Sequence, residues 1–165
     1  MAEVQWLDAR EAQLWQSYRD SYRELTAALE ARMTANGGVS AADYALLHPL
    51  SSAEDGLLRT RELGRSVGWE RSRLSHQVSR MEKRGLVVRE ECPSDARGSM
   101  VRITPAGRAA IEAAAPDHVD AVRTYLFDKL SREEQDLLAV LLDRVLSGLP
   151  TRDLCSTGPS SDSDS

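Results

Sequence analysis

Cysteine, histidine and aromatic residues are scarce in this chain of 165 residues, and each scarcity removes a class of function. The two cysteines, Cys92 and Cys155, stand far apart in unlike contexts. They form neither a disulfide framework nor a Cys-x-x-Cys redox pair. The three histidines, His48, His76 and His118, make no local metal-ligand spacing with one another or with a cysteine. No apolar run approaches the roughly 18 residues of a membrane span. The first 35 residues are too mixed in charge for a signal peptide, so a cytoplasmic protein is expected. Catalytic signatures are missing as well: there is no Gly-x-Ser-x-Gly, no phosphate loop, no His-Glu-x-x-His and no dinucleotide fingerprint. Neither an enzyme, a cofactor nor a metal is expected.

What is present is aliphatic and unevenly charged. Hydrophobic residues make up 41% of the chain and aromatics 5%, which suits a helical protein with a Leu- and Ala-rich core. The net charge of −5 conceals a split. Residues 59–108 hold 12 Lys/Arg against 6 Asp/Glu, a net of +6, and the remainder carries −11. A basic middle inside an acidic chain is the footprint of local phosphate contact.

Periodicity organises the rest. Leu14, Tyr18, Leu25 and Leu29 predict a long amphipathic helix over 9–35, stopped by Asn36-Gly37-Gly38. Ser40 caps a second helix, which Pro49 should kink or end. After a turn at Glu54-Asp55-Gly56 comes a short extended Leu57-Leu58-Arg59. Thr60 is expected to cap a short helix ending at Gly68, and a further helix runs from about Glu70 to Arg84. Two strands and a turn-rich tip, CPSDARGS, follow. Thr104-Pro105 opens a helix reaching about Phe127, with a bend expected at Pro116. Ser131 and Glu134 form a capping-box pattern before the last helix, which ends near Ser147. Two short helices joined by a tight turn and followed by a hairpin predict a winged helix-turn-helix. The expected fold class is mostly α with a small β-wing, flanked by N- and C-terminal helices.

The helix from Glu70 is the candidate groove reader. At 100° per residue, Leu74, Val78, Met81 and Gly85 share one narrow face, with Val67 and Trp69 beneath it. Ser72, His76, Ser79 and Lys83 fall opposite, flanked by Arg73 and Arg80. No acidic residue lies between Arg71 and Arg80. Small serines permit close approach of the backbone to DNA, and Arg, Gln and His can hydrogen-bond base edges. The candidate DNA-binding residues are Arg71, Ser72, Arg73, Ser75, His76, Gln77, Arg80 and Lys83. Arg97, at the wing tip, is expected to reach the minor groove, with Asp95 holding it or the loop.

The stretches RTRELGRSVGWERSRLSHQVSRMEKRGLVVRE and CPSDARGSMVRITPAGR carry a resemblance to the MarR family of bacterial transcription regulators. The matching pieces are Leu-Gly-x-x-Val-Gly, Arg-Ser-Arg-Leu, Arg-Gly-Leu-Val, Asp-x-Arg and Thr-x-x-Gly-Arg. The resemblance spans roughly residues 9 to 148. It implies a homodimer that binds a pseudo-palindromic operator in double-stranded DNA, and a repressor relieved by a small lipophilic or phenolic ligand. The implied pocket lining is Trp15, Tyr18, Arg19, Tyr22, Tyr44 and His48. The last helix supports a dimer independently: Leu137, Leu138, Val140, Leu141, Leu142, Val145 and Leu146 cover more than one face.

Residues 1–150 are then one domain, with the winged helix at about 40–104, dimerisation helices at about 9–36 and 105–148, and a disordered tail at 151–165. The chain departs from the family pattern in three places: Glu70 where Ser or Thr is usual, the large Trp69, and a wing tip with a single arginine. Two alternatives stand beside this reading: a winged-helix protein-interaction module that does not touch DNA, and a redox-responsive regulator using Cys92.

Overall fold

A computed structural model of the chain describes residues 5–35, 38–92 and 95–150, without the side chains of residues 92 and 95–98. The expected glycine stop at 36–37 and the expected tail at 151–165 lie outside the described residues. The elements run in the order α1 (Ala9–Ala35), α2 (Ala41–Ser52), β1 (Leu57–Arg59), α3 (Thr60–Val67), α4 (Arg71–Lys83), β2 (Val87–Cys92), β3 (Asp95–Ile103), α5 (Pro105–Tyr125) and α6 (Arg132–Ser147). A 3-10 turn at Phe127–Lys129 separates the last two helices. Among the described residues, no helix is long and apolar enough to cross a membrane.

The winged helix is built around an aliphatic core. Leu46, Leu47 and Leu50 of α2 meet Leu63 of α3, Leu74, Val78 and Met81 of α4, and Val87, Val101 and Ile103 of the sheet. Burying each such side chain contributes roughly 1.5–3 kcal/mol. The sheet has the order β1-β3-β2, antiparallel throughout, with Leu58 opposite Val101 and Val87 opposite Ile103. Val101 and Ile103 point into the core, and Met100 and Arg102 take the other face, as period-two alternation requires. The wing pairs Glu91 with Ser99 and Cys92 with Asp95, with a register break between Glu91 and Cys92.

Three of the helix starts carry the caps their sequence predicts. Ser40 and Asp43 form a reciprocal capping box, as do Ser131 and Glu134, and the Thr104 hydroxyl accepts from the Gly107 N–H. Thr60 does not cap α3. It is the first helical residue, and its hydroxyl bonds to Ser99 of β3 at 2.8 Å, because β1 brings this end of α3 against the wing. The two internal prolines differ in effect: α2 ends three residues after Pro49, whereas α5 continues helical through Pro116 to Tyr125.

α5 leaves the sheet through one tight contact. Thr104 donates its N–H to the Leu86 carbonyl and its hydroxyl to the Gly85 carbonyl. That places Gly107 so close to Leu86 that a Cβ there would collide with the Leu86 carbonyl oxygen. Backbone on both sides cannot yield as a flexible side chain does. Gly107→Ala is therefore expected to destabilise the fold by about 1–3 kcal/mol, read as a lower denaturation midpoint at unchanged slope in urea.

Candidate nucleic-acid interface

The exposed side of α4 follows from its buried side. Leu74, Val78 and Met81 lie in the core, so Arg71, Ser72, Arg73, Ser75, His76, Arg80 and Lys83 face outward together. The turn before α4 is set by Gly68, whose φ of +67° is the left-handed conformation that glycine adopts without strain. Trp69 donates its N–H to the Gly64 carbonyl, and its ring packs against the core beneath the helix start. Arg73 lies over that ring, 4.2 Å from its centroid. Glu70 occupies the N-cap position but forms no side-chain cap.

Gln77 does not belong with the outward residues. It is only 8% exposed, and its amide donates to Asp43 at 2.7 Å. The reason is angular: at 100° per residue, Gln77 sits about 40° from Met81, at the border of the apolar stripe. Ser79 is also drawn away from the free face. Its hydroxyl donates to the Ser75 carbonyl and accepts from Arg89 of β2, both at 3.0 Å. Arg89 additionally donates to the Ser75 carbonyl and pairs with Glu82 at 3.2 Å, so the base of the wing is tied along the flank of α4. Arg102 braces the sheet in the same way, between Glu90 and the Asp55 carbonyl. This pairing holds the Glu90 carboxyl below its ordinary range. Asp95 and Arg97 belong to β3, but their side chains lie outside the described residues.

The tilt of α4 is held from behind by Asp43. This carboxylate is fully buried. It accepts from the Ser40 N–H at 3.0 Å, the Ser40 hydroxyl at 2.8 Å, Gln77 at 2.7 Å and Arg84 at 2.6 Å. Arg84 also donates to the Gly38 carbonyl. Asp43, Arg84 and Arg89 were not singled out from sequence. The Ser40-x-x-Asp43 spacing announces a helix cap, but nothing in it announces a partner 34 or 41 residues away.

The six candidate pocket residues separate into two groups. Tyr44 and His48 of α2 face His118, Val119, Val122 and Arg123 of α5 and Phe127 across a cleft of about 570 Å³. The Tyr44 ring lies 4.4 Å from that of His118. His118 Nδ1 is buried without a hydrogen-bond partner, and desolvation, helped by nearby His48, lowers the pKa of His118. Trp15, Tyr18, Arg19 and Tyr22 lie instead on the exposed first half of α1. Trp15 stacks on Tyr18 at 5.7 Å, and Tyr18, Arg19 and Tyr22 with Arg23 border a smaller depression of about 390 Å³.

A three-stranded wing and a cationic second helix, mounted on an aliphatic core, define a winged helix-turn-helix protein. Residues 37–98 match the model of the MarR family. A crystal structure of Sco3205, a MarR family transcriptional regulator from Streptomyces coelicolor in complex with DNA, superposes with a TM-score of 0.86. The two are 40% identical, over 92% of this chain and 96% of that one. The uncharacterized HTH-type transcriptional regulator YxaD of Bacillus subtilis is 30% identical over 66% of this chain and 74% of its own length. Transcriptional regulator HosA of Escherichia coli O111:H- is 38% identical over 45% of this chain, and the match spans about half of HosA, 54%. The chain belongs to the MarR family.

The Asp43 cluster has a pH signature. Burial by itself would raise the Asp43 pKa. The Ser40 backbone and hydroxyl bonds and the Arg84 guanidinium outweigh it and hold the group below its ordinary 3.8. Because the folded pKa is the lower one, this contribution to stability is complete above pH 3.8 and disappears as pH falls through the folded value. Asp43→Asn is expected to lower stability at neutral pH. It should also flatten the acid limb of the stability profile below about pH 4, measured by urea denaturation across pH 2.5–7.

Proposed function

We propose that two copies of this chain join through α1, α5 and α6 and bind double-stranded DNA as a sequence-specific transcriptional regulator. The observation that carries the reading is the outward face of α4. Between Arg71 and Arg80 it presents four cationic or cation-capable side chains, Arg71, Arg73, His76 and Arg80, and no carboxylate. The helix diameter fits the major groove, and its N-terminal half is where such helices meet base edges. The DNA complex of Sco3205, at 40% identity, supports the same use of the fold.

The dimer rests on exposed apolar surface. α6 buries none of its residues within the chain, although Leu137, Leu141, Leu142, Val145 and Leu146 are each between 44% and 64% exposed. Leu14, Trp15, Tyr18 and Tyr22 of α1 are likewise exposed. So many large apolar side chains left exposed along two helices mark an association face. A two-fold pair presents two copies of α4 to half-sites about one helical turn, roughly 10 bp, apart. A lipophilic or phenolic ligand in the Tyr44–His48–His118 cleft, between α2 of the winged helix and α5, would bias the spacing of the two reading heads. Repression would then be relieved by the population shift.

Selection of bound duplexes from a random pool is expected to yield a pseudo-palindrome, and a pool that never converges overturns the reading. On the selected duplex, Arg80→Ala should reduce the slope of log K against log salt by about one. Leu141→Glu should convert the dimer to a monomer in sedimentation velocity. It should also weaken DNA binding by about 100-fold or more, because the second half-site is no longer tethered.

A further inference from the structure

We infer that Trp69 is a positioning residue that presents Arg73 to a guanine in the major groove, which makes Arg73 the specificity-determining arginine of α4. The inference rests on the DNA-reading function proposed above and concerns how that reading is done.

The indole is fixed before the arginine meets it. Gly68 in the left-handed conformation and the Trp69 N–H bond to Gly64 set the turn. Gly64 lies close to both Leu74 and the Trp69 carbonyl, so the turn has little room to shift. The ring is half-buried against the core, one residue outside the N-cap, and Arg73 is four residues on. Its guanidinium carbon sits 4.2 Å above the ring centroid. Stacking engages the flat face of a guanidinium and leaves the in-plane N–H groups pointing outward.

The other arginines around the helix differ in one respect or the other. Arg84 is bonded to Asp43, Arg89 to Glu82 and Arg102 to Glu90, so their donors are already committed. Arg71 and Arg80 are exposed, and among the described residues neither lies over a ring. Among the described residues, Arg73 alone on α4 combines contact with an aromatic face with donors that make no hydrogen bond or ion pair. It is the third residue of α4, within the N-terminal half that meets base edges. A planar fork with free edges matches the paired O6 and N7 acceptors of guanine. Holding the fork in advance removes part of the ordering cost of binding.

The test uses the full-length chain and its selected duplex, with each G·C pair of a half-site replaced in turn and affinity read by fluorescence anisotropy. Arg73→Lys keeps the charge and loses the fork. It is expected to reduce discrimination at one G·C pair per half-site by about 10-fold or more. Trp69→Leu should reduce discrimination at that same pair by about 3- to 10-fold with the salt slope unchanged, and Trp69→Phe, which keeps a ring, should retain most of it. In an Arg73→Ala background, Trp69→Leu should have no further effect on discrimination, an outcome that a general loss of stability would not produce. The inference is overturned if Trp69→Leu and Trp69→Phe both discriminate as well as the unaltered chain. It is equally overturned if Arg73→Ala weakens every duplex alike with a shallower salt slope, since Arg73 would then hold phosphate. A chain that binds all duplexes equally refutes the regulator itself, a result distinct from either of these.

Discussion

Asp43 is a fully buried carboxylate held ionised by four donors, two from Ser40 and one each from Gln77 and Arg84. Removing a charge from water costs several kcal/mol unless its lone pairs are filled. Filling them requires the start of α2 and the second half of α4 to meet at one point. Geometry in the rest of the winged helix follows from that meeting. Asp43 anchors α4 to the start of α2, and Leu74, Val78 and Met81 seat it in the core. The polar cluster supplies direction, and the aliphatic core supplies most of the free energy.

The wing is tied to the same helix from the opposite side. Arg89 reaches from β2 to Glu82, the Ser75 carbonyl and Ser79, and Thr60 joins the start of α3 to Ser99. These are exposed or half-exposed bonds, each of small individual worth. Their effect is registration: Arg89 sets the spacing between α4 and the wing, and Thr60 that between α3 and the wing. In the proposed DNA-bound form, a helix and a wing connected in this way would approach a duplex as one body, with less ordering left to be done on binding.

Element boundaries were largely legible, because the signals for them are local. Ser40, Thr104 and Ser131 each act on backbone within three residues, and the stripe of Leu74, Val78 and Met81 repeats at the helical period. Errors arose where a side chain bonds across sequence. Thr60 resembles a cap but bonds to β3, and Gln77, placed by periodicity beside the polar face, is buried against Asp43. The six aromatic and basic pocket candidates read as one group along the chain. They separate because the first half of α1 stays exposed while α5 lays His118 beside Tyr44.

Sequence alone determined the order of elements, the cationic face of α4 and the surplus of apolar residues on α6. Composition and short-range periodicity carry these, and neither depends on what the chain packs against. Tertiary structure alone decided which polar residues are free to act. Gln77 and Arg84 are committed to a carboxylate more than 30 residues away and Arg89 to the helix it flanks, while Arg73 lies over an indole. A hydrogen-bonding group has a fixed number of partners. Only the folded chain shows which groups have already found theirs.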